Sequence, residues 1–132
     1  MDVLQALSDL TEISSQIEAA VILDADGSTM AATLDDTRAA DLARAANELL
    51  AASRRATGKE PAQLEVSTAS GSVFVVRDGE RAIVATTGPE PTVGLVFYDL
   101  KSCLRNVAAE EKPKPRRTPR RPAGEDGDDA AA

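Results

Sequence analysis

Three stretches of the chain place apolar residues at the spacing of an amphipathic helix. They span residues 2–14, 35–55 and 92–109, and each repeats its apolar positions at intervals of three and four. The middle stretch opens on acidic N-cap candidates, and Gly58, a residue typical of helix ends, follows it. The last stretch carries an apolar stripe of Val93, Val96, Phe97, Leu100, Cys103, Leu104 and Val107. We therefore predict three helices, the last with Cys103 buried as a small apolar residue.

Five short runs between these stretches predict strands. A run at 19–24 meets Asp26-Gly27 and returns at 29–34. Asp-Gly between two such runs is a strong hairpin signal, and we expect a type I′ turn with positive φ at both turn residues. Runs at 64–68, 73–76 and 82–85 follow as a meander, with a second turn expected at Asp78-Gly79.

The apolar patterns also predict the order of the strands. Strands buried on both faces are continuously apolar, whereas half-exposed strands alternate. The first, fourth and fifth strands are continuous and should be central, while the second and third alternate and should be edges. Keeping hairpin partners adjacent gives an antiparallel sheet of order 2-1-5-4-3 with helices on both faces. The predicted fold class is an α/β (α+β) three-layer sandwich.

The second helix has a broad apolar face and an opposite polar face that includes two alanines. The polar face consists of Ala40, Asp41, Arg44, Asn47, Glu48, Ala51 and Arg55. Ala40 and Ala51 leave a shallow strip that another helix could approach closely. An ordinary solvated face explains the same pattern, so the residues alone leave both interpretations open.

Composition and charge narrow the classes of partner and compartment. Residues 1–110 carry 9 basic and 17 acidic side chains, and such an acidic body repels nucleic acid and anionic membranes. No apolar run approaches the roughly 20 residues of a membrane span. No basic segment follows the start of the chain, so we expect no secretion signal. The single cysteine fits a reducing compartment, and we expect a cytoplasmic protein.

The composition changes at residue 111, which divides the chain into a domain at 1–110 and a tail at 111–132. Segment 112–122 alternates basic residues with prolines, and the remainder is acidic and then alanine-rich. Without apolar periodicity the tail should be disordered and extended. It is either a solubilising tail or a basic arm for an acidic partner, and its acidic end could fold back on the basic part.

The sequence argues against a self-contained enzyme. The chain has no histidine, and it lacks both common glycine-rich phosphate-binding motifs. The segment from Asp24 to Gly27 begins like a calcium loop, but Thr29 and Asp35 stand where that loop needs Gly and Glu. Asp24 and Asp26 are better explained as turn formers. We therefore expect no catalytic residues, no cofactor and no metal site.

The order of elements and several of these segments resemble the Roadblock/dynein light chain family, especially its small bacterial members. The segments are the apolar strand and acidic turn at 17–27, the Ala- and Leu-rich helix at 39–52, the meander at 72–87 and the helix start Val93-Gly94-Leu95. The resemblance covers about residues 3–108. It implies a five-stranded antiparallel sheet with the long second helix on one face and the terminal helices on the other.

The resemblance also implies a homodimer joined through the second helix and the third strand, at the edge of the sheet. Carried over to this chain, the dimer or partner interface would use Ala40, Arg44, Asn47, Glu48 and Ala51 of the helix, with Leu64, Val66 and Thr68 of the strand. The shallow strip and the alternating edge strand fit that role, because the backbone groups of an edge need a partner or protection.

By the same resemblance, the function would be to bind a small Ras-like GTPase and modulate its nucleotide cycle. A GTPase activator orders the catalytic groups of its partner or lends it an arginine. Arg44, Arg54 and Arg55 are the candidates, and nothing in the sequence selects one of them. The alternative is a non-catalytic scaffold or adaptor subunit in a signalling or motility complex. A small-ligand sensor is a third possibility, which the scarcity of aromatic residues disfavours.

Overall fold

The computed structural model describes residues 2–111, which form three helices and one five-stranded sheet. In chain order the elements are α1 (Val3–Ile13), β1 (Ile17–Leu23), β2 (Thr29–Ala32), α2 (Asp36–Thr57), β3 (Gln63–Thr68), β4 (Gly71–Asp78), β5 (Arg81–Thr87) and α3 (Val93–Glu111). All eight predicted elements are present. Segment 112–132 lies outside the described residues, and α3 includes Glu111, which the sequence analysis assigned to the tail.

The sheet is antiparallel throughout, and its strand order is β2-β1-β5-β4-β3, which confirms the prediction. The continuously apolar strands are central because helices cover both of their faces. Val21 and Val84 are fully buried, and Val75 is 1% exposed. In β3, by contrast, every residue except Leu64 is exposed.

The helices lie on the two faces of the sheet as predicted, and each face has its own apolar core. Helices α1 and α3 pack over Ile22, Phe74 and Ile83, and the rings of Phe74 and Phe97 meet edge to face with centroids 5.1 Å apart. On the opposite face α2 buries Ala39, Ala43, Ala46 and Leu50. Its small side chains let α2 lie close to the strands.

The ends of α1 and α2 follow from local side-chain chemistry. Asp2 and Asp35 are N-caps, and their carboxylates accept hydrogen bonds from the backbone N–H groups of Gln5 and Arg38. Gly58 ends α2 in the left-handed conformation with φ +74°, which confirms the predicted stop.

Both Asp-Gly turns are present, but the expected type I′ geometry is wrong. In the β1–β2 turn Gly27 has φ +82°, and its N–H donates to the Asp24 carbonyl, whereas Asp26 keeps a negative φ. This is a type I turn followed by a left-handed glycine. The Asp24 carboxylate accepts from the N–H groups of Asp26 and Ser28, which confirms Asp24 as a turn former.

The β4–β5 turn is placed one residue later than expected. Asp78 pairs with Arg81 in the ladder, so the two turn residues are Gly79 and Glu80. Only Gly79, with φ +67°, has a positive φ, as a type II′ turn requires.

The apolar stripe of α3 is confirmed except at its first residue. Val96, Leu100, Leu104 and Val107 are buried, but Val93 is 37% exposed because it opens the helix beyond the edge of the core. Cys103 is buried as predicted, and its Sγ donates to the Ala6 carbonyl oxygen at 3.6 Å. Burial and the nearby charge of Asp9 raise the pKa of this thiol to about 11.

Candidate protein interaction surfaces

The predicted interface residues of β3 lie on an uncovered part of the sheet. Leu64 is paired with Val75 and Val66 with Val73, so both point to the same face as α2, and Thr68 follows them in register. Helix α2 makes its main sheet contacts with β2, β1 and β5, and so it leaves this end of the face open. Val66 is 39% exposed, and Leu64 is half-buried. The result is an apolar strip beside an unpaired strand edge.

The five predicted interface residues of α2 lie together in a different place. Ala40, Arg44, Asn47, Glu48 and Ala51 line an open groove of about 580 Å³ with Ala43 and the hairpin residues Gly27, Ser28 and Thr29. The wall contributed by α2 is shallow because three of its residues are alanines. Arg44 and Glu48 supply charges of opposite sign at its rim.

Asn47 has a structural role in this groove that its place on the polar face did not indicate. Its side-chain Nδ2 donates to the Gly27 carbonyl oxygen at 3.0 Å, and the residue is half-buried. The bond joins the β1–β2 turn to α2, and both residues line the groove. The spacing of residues in the sequence does not distinguish a helix-surface residue that contacts a neighbouring turn from one that faces solvent.

The structure does not bring the α2 group and the β3 group into one surface. The groove opens on the flank of α2 that faces the β1–β2 turn, whereas β3 is at the other edge of the sheet. The flank turned toward β3 carries Leu42, Ala45 and Leu49, which are half-buried. Leu42 and Leu49 pack on the same apolar cluster as Leu64 and Val73.

The three candidate arginines differ in how they are held. Arg44 Nη2 lies 2.6 Å from an Asp41 carboxylate oxygen, and Arg54 Nε lies 2.6 Å from Glu60 Oε1. Arg77 Nε reaches the second oxygen of Glu60 at 3.1 Å, so that one carboxylate holds two guanidinium groups. The hydrogen bond from Arg54 is the main cause that lowers the pKa of Glu60. Arg55 is exposed in the last turn of α2.

The described residues contain neither a metal site nor a membrane-spanning helix. Among residues 2–111 no group of His, Cys, Asp or Glu side chains is arranged to hold a metal ion. None of the helices formed by these residues is both long enough and apolar enough to cross a membrane. The described surface is therefore best characterised by its grooves and its open strand edge.

Comparison with known proteins identifies the family. The model of the Roadblock/LC7 domain matches residues 3–87 of the chain. The protein belongs to the Roadblock/LC7 family. This confirms the resemblance inferred from the sequence, and the match ends at the last residue of β5. No curated protein matches the sequence.

Several solved structures share the fold at low sequence identity. A Roadblock/LC7 domain from Streptomyces avermitilis has a TM-score of 0.74 at 22% identity, and the match covers 83% of this chain and 98% of that one. MglB from Myxococcus xanthus has a TM-score of 0.69 at 16% identity, covering 82% and 93% of the two chains. MglC from the same organism has a TM-score of 0.56 at 18% identity, covering 83% and 99%.

Proposed function

We propose that this Roadblock/LC7 protein is a dimeric regulator that binds a small Ras-like GTPase and modulates its nucleotide cycle. Family membership supports a regulatory, GTPase-associated role in general terms. The observation that carries the finer proposal is the pair of separate surfaces, the open β3 edge and the groove of α2. One surface serves self-association, and the other remains available to a partner.

The proposed dimer uses the uncovered end of the sheet. A second copy adds its β3 to the exposed edge, and its α2 covers Leu64, Val66 and Thr68 on the open part of the face. Pairing two edge strands satisfies backbone groups that would otherwise face water. The flank of α2 that carries Leu42, Ala45 and Leu49 then meets its equivalent in the partner, because it already borders this strip.

The proposed GTPase contact is the α2 groove. Ala40 and Ala51 allow a partner element to approach closely, and Arg44 and Glu48 at the rim give electrostatic selection. The contact needs no chemistry from this chain, since a regulator acts by ordering groups that the GTPase itself supplies. Arg44 is the candidate arginine in the groove, and its ion pair with Asp41 is exposed enough to exchange partners.

Affinity capture tests this proposal. The tagged full-length chain is used to capture proteins from its native cell in parallel with a non-hydrolysable GTP analogue and with GDP. We expect a Ras-like GTPase to be enriched in one nucleotide state only. Ala51→Arg, which fills the groove, should abolish this enrichment of the GTPase. Ala52→Arg, on the exposed surface of the same helix, should leave the enrichment unchanged. If the same partners bind in both nucleotide states, and no GTPase binds in a nucleotide-dependent way, the proposal is wrong. The chain is then better explained as a non-catalytic adaptor.

A further inference from the structure

A second groove lies between α1 and α3, on the face of the sheet opposite α2. Its volume is about 230 Å³, and it is lined by Ala6, Asp9, Leu10, Ile13, Tyr98, Asp99, Ser102, Cys103 and Asn106. Ile13 is 74% exposed and Tyr98 63% exposed, so two large apolar side chains stand at its rim. Because α2 and the open strip of β3 are on the other face, neither proposed contact covers this groove.

Two carboxylates line the groove, and neither has a cationic partner within residues 2–111. Asp99 is only 8% exposed, and within residues 2–111 no hydrogen bond or ion pair reaches its side chain. Asp9, the second acid of the lining, accepts a hydrogen bond from Gln5 Nε2 at 2.8 Å but has no cationic partner in that part of the chain. No Lys or Arg lines the groove. Two acidic side chains and no basic one make the lining electrostatically complementary to a cationic group.

We propose that the basic, proline-rich segment 112–122 of this same chain binds in the α1–α3 groove. Proline rings pack against Tyr98 and Ile13, while arginine side chains pair with Asp9 and Asp99. Proline-rich segments bind aromatic-lined grooves because their extended conformation is already formed and little entropy is lost. The segment carries six basic residues and includes Pro119-Arg120-Arg121-Pro122, two prolines separated by two arginines.

The direction of the helices makes this contact possible. Ile13, at the end of α1, lines the groove beside Tyr98 near the start of α3, whereas Ala6 lies against Cys103 farther along. The two helices are therefore antiparallel. Tyr98 lies about 20 Å back along α3 from Glu111 at the usual helical rise. Ten residues in the polyproline conformation span about 31 Å, which is enough to return to Tyr98.

Tethering makes even a weak contact effective. A segment joined directly to the end of α3 is held near the groove at an effective concentration on the order of millimolar. The pairing also explains why a basic segment follows an acidic domain in one chain. The inference goes beyond the proposed function, since it concerns neither the GTPase nor the dimer.

The test uses a nitroxide spin label on the full-length chain at Thr118→Cys. Cys103 can remain, because it is buried and its raised thiol pKa leaves it unreactive at neutral pH. Paramagnetic broadening of amide signals is then measured by NMR. We expect broadening at Ile13, Tyr98 and Ser102 to be several-fold stronger than at Gly27 in the β1–β2 turn, and to weaken with added salt.

Matched variants separate specific docking from proximity. Tyr98→Ala combined with Asp9→Lys should reduce the broadening to the level at Gly27. Leu4→Ala, which removes a 69% exposed side chain outside the groove, should leave it unchanged. Asp99→Asn should reduce it in part.

Three results would overturn the inference. Broadening that is weak and uniform over the domain would show that the segment does not dock. Broadening centred on the α2 groove or on β3 would place it elsewhere. Equal broadening in a mixture of spin-labelled chain and isotope-labelled chain would show that the segment binds a second copy instead of its own groove.

Discussion

The Asn47 side chain donates a hydrogen bond to the Gly27 carbonyl oxygen at 3.0 Å and thereby joins α2 to the β1–β2 turn. The two residues are also in close packing, because a Cβ built on Gly27 would lie 2.8 Å from the Asn47 amide atoms. The turn and the helix therefore form one wall of the candidate partner groove. Its shape depends on this contact.

Removal of the Asn47 side chain should loosen that wall. Asn47→Ala leaves a partly buried carbonyl without its donor, and we expect the free energy of unfolding to fall by about 1–2 kcal/mol. Glu48→Ala, on the exposed side of the same helix, should change it by less than about 0.5 kcal/mol. Urea unfolding followed by circular dichroism measures both values, and equal effects would contradict the role given to Asn47.

Gly27 should tolerate substitution less well than another glycine with the same backbone conformation. Gly27 and Gly58 both have the left-handed conformation, but a Cβ would meet a neighbour only at Gly27. Gly58→Ala should therefore cost about 1–2 kcal/mol through backbone strain, whereas Gly27→Ala should cost more. Urea unfolding measures the two costs.

A second background tests the cause of that difference. In the Asn47→Ala variant the obstructing amide is gone, so the cost of Gly27→Ala should fall to that of Gly58→Ala. If the difference between the two glycines persists there, crowding by Asn47 is not its cause.

Glu60 should make stability depend on pH in the acidic range. Its pKa in the folded protein lies below the ordinary value of 4.5, mainly because Arg54 donates a hydrogen bond to the carboxylate. The stabilisation is therefore fully present above pH 4.5 and is lost as the pH falls through the folded-state pKa. In the Glu60→Gln variant the melting temperature should fall less steeply below pH 4.5 than in the wild type. Glu80→Gln, on an exposed turn, should leave this pH dependence unchanged. Thermal unfolding across this pH range measures the effect, which should be small because the pair is solvated.

The open strip on β3 should determine the oligomeric state. Val66→Lys places a charge on the apolar strip, and we expect it to shift a dimer to monomer because an unpaired charge is costly in an interface. Glu65→Lys introduces the same side chain one residue earlier on the opposite face of β3 and should leave the dimer intact. Sedimentation at matched concentrations distinguishes these outcomes, and a wild-type monomer at high concentration would contradict the dimer.

The sequence predicted the strand order because burial leaves a direct mark on composition. A strand covered on both faces, such as β4, is continuously apolar, and an edge strand such as β3 is not. The cap at Asp35 and the stop at Gly58 were also predictable, since both are local chemistry. The types of the two Asp-Gly turns were not predictable, because the first depends on the negative φ of Asp26 and the second on the pairing of Asp78 with Arg81 in the ladder.

The candidate site was only partly predictable. A helical wheel places Ala40, Arg44 and Ala51 on one face, but it does not say which flank of α2 faces β3. That depends on how the helix crosses the sheet. For the same reason the bond from Asn47 to Gly27, between residues far apart in sequence, was not visible. In one chain the predicted interface residues form two groups, the α2 groove and the β3 edge, and their place in a dimer stays a prediction.

The most direct test of the proposed function is the rate of GTP hydrolysis by the captured GTPase at saturating concentrations of this chain. We predict that the wild-type protein changes the rate of hydrolysis or of GDP release several-fold. Ala52→Arg should act in the same way, and Ala51→Arg should have no effect. If a GTPase that binds the chain shows the same two rates with and without it, the chain is not a regulator of the nucleotide cycle.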